Sequence, residues 1–330
     1  MKNWTCFLFT ILILSTTVGC QKNNEETITT EAEINVSGPA VQSQNIVSSM
    51  ISLDDISPDF FAYNMASNSL TLISRFENTY TLYRLRADGS LQNPGIHWRI
   101  PDDYTLDNFV YSPSGSFYAV LKNYDKKGKT HGSLVLLQNK GTYKTVPLKG
   151  LNDIPDTKLD SYVKKKGKIS DRSITDIQFS GTALAITYSN YAVKFYNISE
   201  GMPLGATSIT GTSGHNVFYD NLFITTGLTY GRKGTLNYYD IRNGEKQNSI
   251  HIDDILYVTN YREKLYILTK DSILEGRTTS SSFNKSVSIH GLSLPSKTQN
   301  LELYAAREDK LYLVYWDSQN QTLLYQIDLG

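Results

Sequence analysis

From Ile46 onward the chain repeats one unit: two short apolar runs joined by a polar turn, then a third run and usually a fourth. One pair reads Asp107-Asn-Phe-Val-Tyr-Ser-Pro-Ser-Gly-Ser-Phe-Tyr-Ala-Val-Leu121. It returns as Thr175-Asp-Ile-Gln-Phe-Ser-Gly-Thr-Ala-Leu-Ala-Ile-Thr187 and as His215-Asn-Val-Phe-Tyr-Asp-Asn-Leu-Phe-Ile-Thr225. Residues 255–268 and 301–314 carry two further copies. Within each run the residues alternate with period two. That is the mark of a strand with one or both faces buried, because successive side chains leave opposite sides of the pleat. Phe179, Tyr219 and Tyr257 lie 40 and 38 residues apart. No segment carries a helical face of useful length, and the 23 tyrosines and 12 phenylalanines favour strands.

A period near 40–45 residues with four strands per unit predicts an all-β fold, a β-propeller. Six units are countable, at 57–100, 104–150, 172–212, 214–252, 254–292 and 298–330. The last has only three strands, and residues 46–53 supply a spare strand at the other end that completes it. Closing the ring in this way removes an exposed sheet edge, which is otherwise an aggregation hazard. Residues 151–171 fit no unit. They are an inserted loop or a degenerate blade, so seven blades is the rival count.

Turn chemistry repeats with the strands. Leu236-Asn-Tyr-Tyr-Asp-Ile-Arg-Asn-Gly-Glu-Lys246 and Val193-Lys-Phe-Tyr-Asn-Ile-Ser-Glu-Gly201 share one form. In each, Asp240 or Asn197 is followed four residues later by Gly244 or Gly201, which supplies the positive φ of a tight turn. Both segments resemble the strand and turn of quinoprotein-type propeller repeats. Ser112-Pro-Ser-Gly-Ser116 resembles the turn of TolB-like and WD40-like repeats, with serine in place of aspartate. The matches span about residues 58–328 and imply the propeller superfamily without picking a member. The quinoprotein likeness does not extend to cofactor residues, so no cofactor is expected.

The first 19 residues have the three parts of a secretory signal: Lys2, an apolar stretch over 4–14, and small residues up to Gly19. The apolar part is too short to cross a bilayer, which takes about 20 residues. Val18-Gly19-Cys20 resembles the end of a bacterial lipoprotein signal. That resemblance implies a diacylglycerol on the Cys20 sulfur, with Cys20 as the new first residue. Multiple chains are what stable anchoring needs. Removing the signal discards Cys6 and leaves Cys20 with no disulfide partner, so acylation gives its thiol a use. An ordinary signal peptide with an accidental cysteine is the alternative. Gln21 after the cysteine implies the outer membrane in a two-membrane bacterium, or the outer face of the cell membrane in a one-membrane one. Residues 20–44 then form the lipidated cysteine and a flexible tether, with no aromatic residue and four acids, reaching about 25–30 Å. The propeller domain is expected over 45–330.

Without Lys2 the chain holds 31 basic and 32 acidic residues, a net charge of −1, which argues against nucleic acid as a partner. The histidines His97, His131, His215, His251 and His290 are scattered, and no HxxxH or CxxC spacing predicts a metal site. His251 and His290 fall at equivalent places, as ring ligands or as a repeated outer-strand residue. Paired acids recur where one unit hands over to the next: Asp54-Asp55, Asp102-Asp103 and Asp253-Asp254. Such connections share one face around the central channel, where carboxylates attract a cation or a basic partner. Asp is equally a turn residue that bonds its own backbone. The basic run Lys164-Lys165-Lys166-Gly167-Lys168 is a phosphate or polysaccharide contact or a solvated loop.

No GxSxG elbow, Walker loop or sialidase turn is present, and no catalytic residue is assigned. The expectation is therefore a lipid-anchored envelope propeller that binds a protein partner or an envelope polymer. In anchor and architecture it is similar to the propeller lipoprotein of outer-membrane assembly. The alternative is a carbohydrate hydrolase or lyase using channel-facing acids such as Asp103 or Asp254.

Overall fold

Alternation along each run becomes a ring of six small antiparallel sheets in the computed structural model. It describes residues 32–33, 47–53, 56–86, 89–124, 130–154, 173–209, 216–229, 233–280, 282–289, 301–307, 310–316 and 321–329. Two strands precede the first blade, β1 (Ala32–Glu33) and β2 (Val47–Ile51). Blade 1 holds β3 (Phe60–Asn64), β4 (Ser69–Phe76) and β5 (Thr79–Leu85), with β6 (Leu91–Gln92) and β7 (His97–Arg99) both pairing with β5. Blade 2 is β8 (Tyr104–Tyr111), β9 (Phe117–Tyr124), β10 (Thr130–Leu137) and β11 (Tyr143–Thr145). Blade 3 is β12 (Ile174–Ser180), β13 (Ala183–Tyr188), β14 (Ala192–Asn197) and β15 (Met202–Ser208). Blade 4 is β16 (Asn216–Tyr219), β17 (Leu222–Thr229), β18 (Lys233–Asp240) and β19 (Lys246–Asp253). Blade 5 is β20 (Ile255–Tyr261), β21 (Lys264–Thr269), β22 (Ser272–Arg277) and β23 (Phe283–Ser288). Blade 6 is β24 (Leu301–Arg307), β25 (Lys310–Trp316) and β26 (Thr322–Asp328), completed by β2.

The innermost strands follow one another round the ring: β3 beside β8, β8 beside β12, β12 beside β16, β16 beside β20, β20 beside β24, and β24 beside β3. Because β8 lies directly against β12, no blade stands between them, and the count is six. Of residues 151–171, only 151–154 are among the described residues, so that stretch and the basic run at 164–168 lie mainly outside them. Closure works as the spare strand predicts. β2 runs antiparallel to β26, with Val47 opposite Asp328 and Ile51 opposite Leu324.

The core sits between blades. Six clusters of buried side chains occupy the six blade junctions, one to each. Second strands are packed on both faces, which explains why Leu70, Leu72 and Ile73 of β4, with Thr71 among them, are all buried. Each fully buried large side chain contributes about 1.5–3 kcal/mol. Between blades 1 and 2, Trp98 is 1% exposed, and its Nε1–H donates to the Gln138 carbonyl at 3.1 Å. That indole packs into the junction and ties β7 to the turn after β10.

The turns follow their residue types. Gly201 and Gly244 take φ of 66° and 72°. Their N–H groups donate to the Asn197 and Asp240 carbonyls at 2.9 and 2.8 Å. The same Asn197 and Asp240 side chains accept from the N–H of Ser199 (3.1 Å) and Arg242 (2.9 Å). Hairpin register aligns the repeats at Ser180, Tyr219 and Tyr261, the last paired residues before each first turn. The aromatic spacing through Phe179 and Tyr257 is thus offset by a few residues, since aromatics occupy both faces of inner strands.

The signal segment and Cys20 lie outside the described residues. Within the stretch expected to be a tether, β1 pairs in parallel with β19, Ala32 opposite Ile250 and Glu33 opposite His251. The outer edge of a blade presents unpaired N–H and C=O groups, and an adjacent extended segment can use them. Among the described residues no helix is long and apolar enough to cross a membrane.

Candidate functional site

Six strands directed along one axis leave a space that their inward side chains must fill or line. Here β3, β8, β12, β16, β20 and β24 together line a cavity of about 660 Å³. It runs from mid-strand to the turns joining first and second strands, where Met65, Pro113, Gly181 and Arg262 form the rim. Among the described residues the charged ones on its wall are Asp107, Asp176, Glu302 and Arg262. Asp107 and Asp176 each sit at a register shift in their strands, β8 and β12. Bulges of this kind re-aim side chains.

The three carboxylates differ in how they are compensated. Asp107 pairs with the Lys122 ammonium at 2.6 Å, and Lys122 is 9% exposed; the Asn108 N–H donates to the other Asp107 oxygen at 2.8 Å. Asp176 accepts from Asn216 Nδ2 at 2.9 Å and from Gln178 Nε2 at 3.2 Å. Burial outweighs those bonds and pushes its carboxyl up to about 6. Glu302 is pushed up to about 7, by burial first and then by the charges of Asp176 and Asp107, against the bond donated by Tyr304. By accessible surface both residues are only half-buried. Protein nevertheless encircles them, and that enclosure is what disfavours their charge. Among the described residues no cation pairs with either.

Tyrosines complete the floor. The Tyr304 hydroxyl lies 2.5 Å from Glu302 Oε2 and 3.1 Å from the Phe61 carbonyl. A phenol has one hydrogen to give. When Glu302 is ionised it takes that hydrogen; when protonated it donates to Tyr304 Oη, which is then free to donate to Phe61 of blade 1. Across the same seam the Tyr63 hydroxyl donates to the Ala306 carbonyl. Burial and the nearby Glu302 charge both raise the Tyr257 and Tyr304 hydroxyls well above the ordinary phenol value. Asn216 is 5% exposed, and while its Nδ2 serves Asp176, its Oδ1 has no hydrogen-bond partner. The floor is polar, with carboxylate, amide and hydroxyl groups converging on it.

The acids singled out from sequence lie elsewhere. Asp102, Asp103, Asp253 and Asp254 are exposed in the handover turns and do not line this cavity. Asp102 accepts from Asn78 Nδ2 at 2.7 Å, Asp253 faces His251 Nε2 at 3.1 Å, and Asp254 takes φ of 54°. Each of these three contributes to a turn or strand end. The two pairs sit at opposite junctions, blades 1–2 and blades 4–5, so the fold does not bring them together. Asp54, Asp55, His215 and His290 lie outside the described residues. Among the described residues no three His, Cys, Asp or Glu side chains are grouped to hold a metal ion. Asp107, Asp176 and Glu302 escaped the sequence reading, although each begins or nearly begins an aligned repeat: Asp107-Asn-Phe, Thr175-Asp176-Ile, Leu301-Glu302-Leu.

Neither a family model nor a curated protein sequence matches the chain. Among solved structures, the WD40 domain of Toxoplasma gondii coronin is similar. The match covers 88% of this chain and 88% of that one, at 12% sequence identity and a TM-score of 0.47.

Proposed function

We propose that this chain is a lipid-anchored binding module of the cell envelope, which presents the mouth of its axial cavity to a protein partner. One observation carries the binding part. All six blades contribute to a single cavity with a rim of exposed and turn residues and a polar floor. Concave sites of about 300–1,000 Å³ with a few convergent polar groups are the usual shape of ligand sites. The anchoring part rests on Gly19-Cys20 at the end of the signal-like segment and on the lone cysteine that remains. Ahead of the closing strand β2, β1 already lies along β19, so the chain coming from the anchor meets the ring first at the outer edge of blade 4.

Photo-crosslinking amino acids at Met65 and Arg262 in cells should yield one protein adduct, and the same probe at Asp102 should yield none. Equal capture from Asp102, or no protein adduct from the rim, would overturn the reading; an adduct with polysaccharide would replace the protein partner by an envelope polymer. For the anchor, Cys20→Ala should move the protein to the soluble fraction and abolish lipid labelling. A variant that stays membrane-bound and labelled refutes it.

A further inference from the structure

One stretch of the polar segment ahead of β2 alternates like a strand. In Thr27-Ile-Thr-Thr-Glu-Ala-Glu-Ile-Asn-Val36 the even positions are Ile28, Thr30, Ala32, Ile34 and Val36, and the odd ones are Thr27, Thr29, Glu31, Glu33 and Asn35. Period two with one mostly apolar side is the pattern of a strand with one covered face. Ser37-Gly38-Pro39 closes the stretch with turn residues. A second observation, independent of the pattern, points the same way. The middle of the stretch is β1, paired in parallel with β19.

We propose that the outer edge of blade 4 is a strand-docking surface, and that its occupant is residues 30–35 of this same chain. The register of β1 sets the alignment. Ala32 lies opposite Ile250 and Glu33 opposite His251. The same offset puts Ile34 in line with Ile252, Thr30 with Asn248 and Glu31 with Ser249. Ile250 and Ile252 are packed with Leu265 and Phe283 of blade 5, so the apolar row of the segment falls in line with the apolar row of β19. A slip of one residue would set the two glutamates there instead. Beyond Asn248 a bulge interrupts β19, which bounds the docking at Thr30. The edge also needs a cover. β19 is the longest outer strand, with eight residues and no proline, whereas β15, with seven, carries Pro203. Long unguarded edges invite pairing with other chains, and a proline on an edge blunts them.

Docking divides the tether. With lipid on Cys20, only residues 21–29 remain as a free leash, with a mean reach of about 15–18 Å in place of about 25–30 Å. Release of the strand restores the longer reach and uncovers the edge at once. The docking itself requires neither the lipid nor the binding role of the axial cavity.

Two measurements on the full chain test it. The first uses a Cys6→Ala, Cys20→Ala background. Paired strands lie about 4.8 Å apart, within the span of a disulfide. Mild oxidation of Glu33→Cys with His251→Cys should close a disulfide within the monomer, and Glu33→Cys with Ser286→Cys on β23 should not. The second is hydrogen exchange. Ala32→Pro with Glu33→Pro removes both N–H groups of β1, and the amides of residues 248–253 that are not bonded to β18 should then exchange at least about tenfold faster, with β15 unchanged. A peptide of residues 28–36 added to that variant should restore their protection. Equal disulfide yield at Ser286, or unaltered exchange in the proline variant, overturns the proposal. A disulfide that joins two molecules assigns the docked strand to a second copy and overturns docking within one chain. If neither cysteine pair closes, the exchange result decides alone. Crosslinks from Met65 and Arg262 report on the far side of the question, the cavity mouth, so failure here leaves the binding module standing, and failure there leaves the docked strand.

Discussion

Gly201 holds φ at 66°, in the left-handed turn that a glycine four positions after Asn197 predicts. Packing adds a demand no local pattern contains, because a Cβ on Gly201 would collide with the Pro147 carbonyl oxygen. Gly181 has a similar φ of 56° but open space where its Cβ would stand. Gly181→Ala should therefore cost only the left-handed penalty, about 1 kcal/mol, whereas Gly201→Ala should cost about 2 kcal/mol or more. Urea unfolding of the two variants measures the difference, and equal losses would show that the Pro147 contact yields freely. Asp107, Asp176 and Glu302 are harder to read from sequence for a related reason. Each is one acid within the first strand of its blade, and only the ring sets them around one space.

Strands are legible in the sequence because their faces are simple. Alternating and continuous apolar runs mark the six units, and even the spare strand at 46–53, since a three-stranded last unit leaves an edge unpaired. Register is less legible: bulges such as that between Ile255 and Tyr257 shift it by a residue without altering composition. The closing strand has little apolar weight of its own, for Ser48, Ser49 and Met50 are exposed. Its contribution lies in backbone pairing with β26 and in Leu53, which is buried with Phe61, Tyr312 and Leu324 at the seam. A chain beginning at residue 54 should thus expose the β26 edge and self-associate, with a lowered thermal midpoint. Size-exclusion chromatography checks this, and a synthetic peptide of residues 46–53 should restore the monomer. A monomeric truncated chain with an unchanged midpoint would mean that blade 6 is held by its junctions alone.

At the scale of the whole ring, closure forces like charges together that no strand brings together by itself, and stability should register it as a pH dependence. Asp176 and Glu302 hold their protons up to about pH 6 and 7 in the folded protein, while the unfolded chain releases them near pH 4. Between those limits the native state binds more protons than the unfolded state. Stability therefore falls as pH rises from about 4 to 7, by at most about 1.4 kcal/mol per pH unit for each group, and levels off above. Asp240 acts in the opposite direction. Hydrogen bonds from Arg242 hold its carboxyl down at about 2, so its contribution is present above pH 4 and is lost as pH falls through 2. The three groups together place their best combined pH near 4, well below neutrality. Glu302→Gln removes one enclosed, disfavoured charge while keeping an acceptor for Tyr304, so its urea midpoint should decline less between pH 4 and pH 8 and exceed that of the parent at pH 8. Parallel profiles for the two proteins would mean that Glu302 is solvated in the folded state, and that the enclosure inferred for the channel floor does not exist.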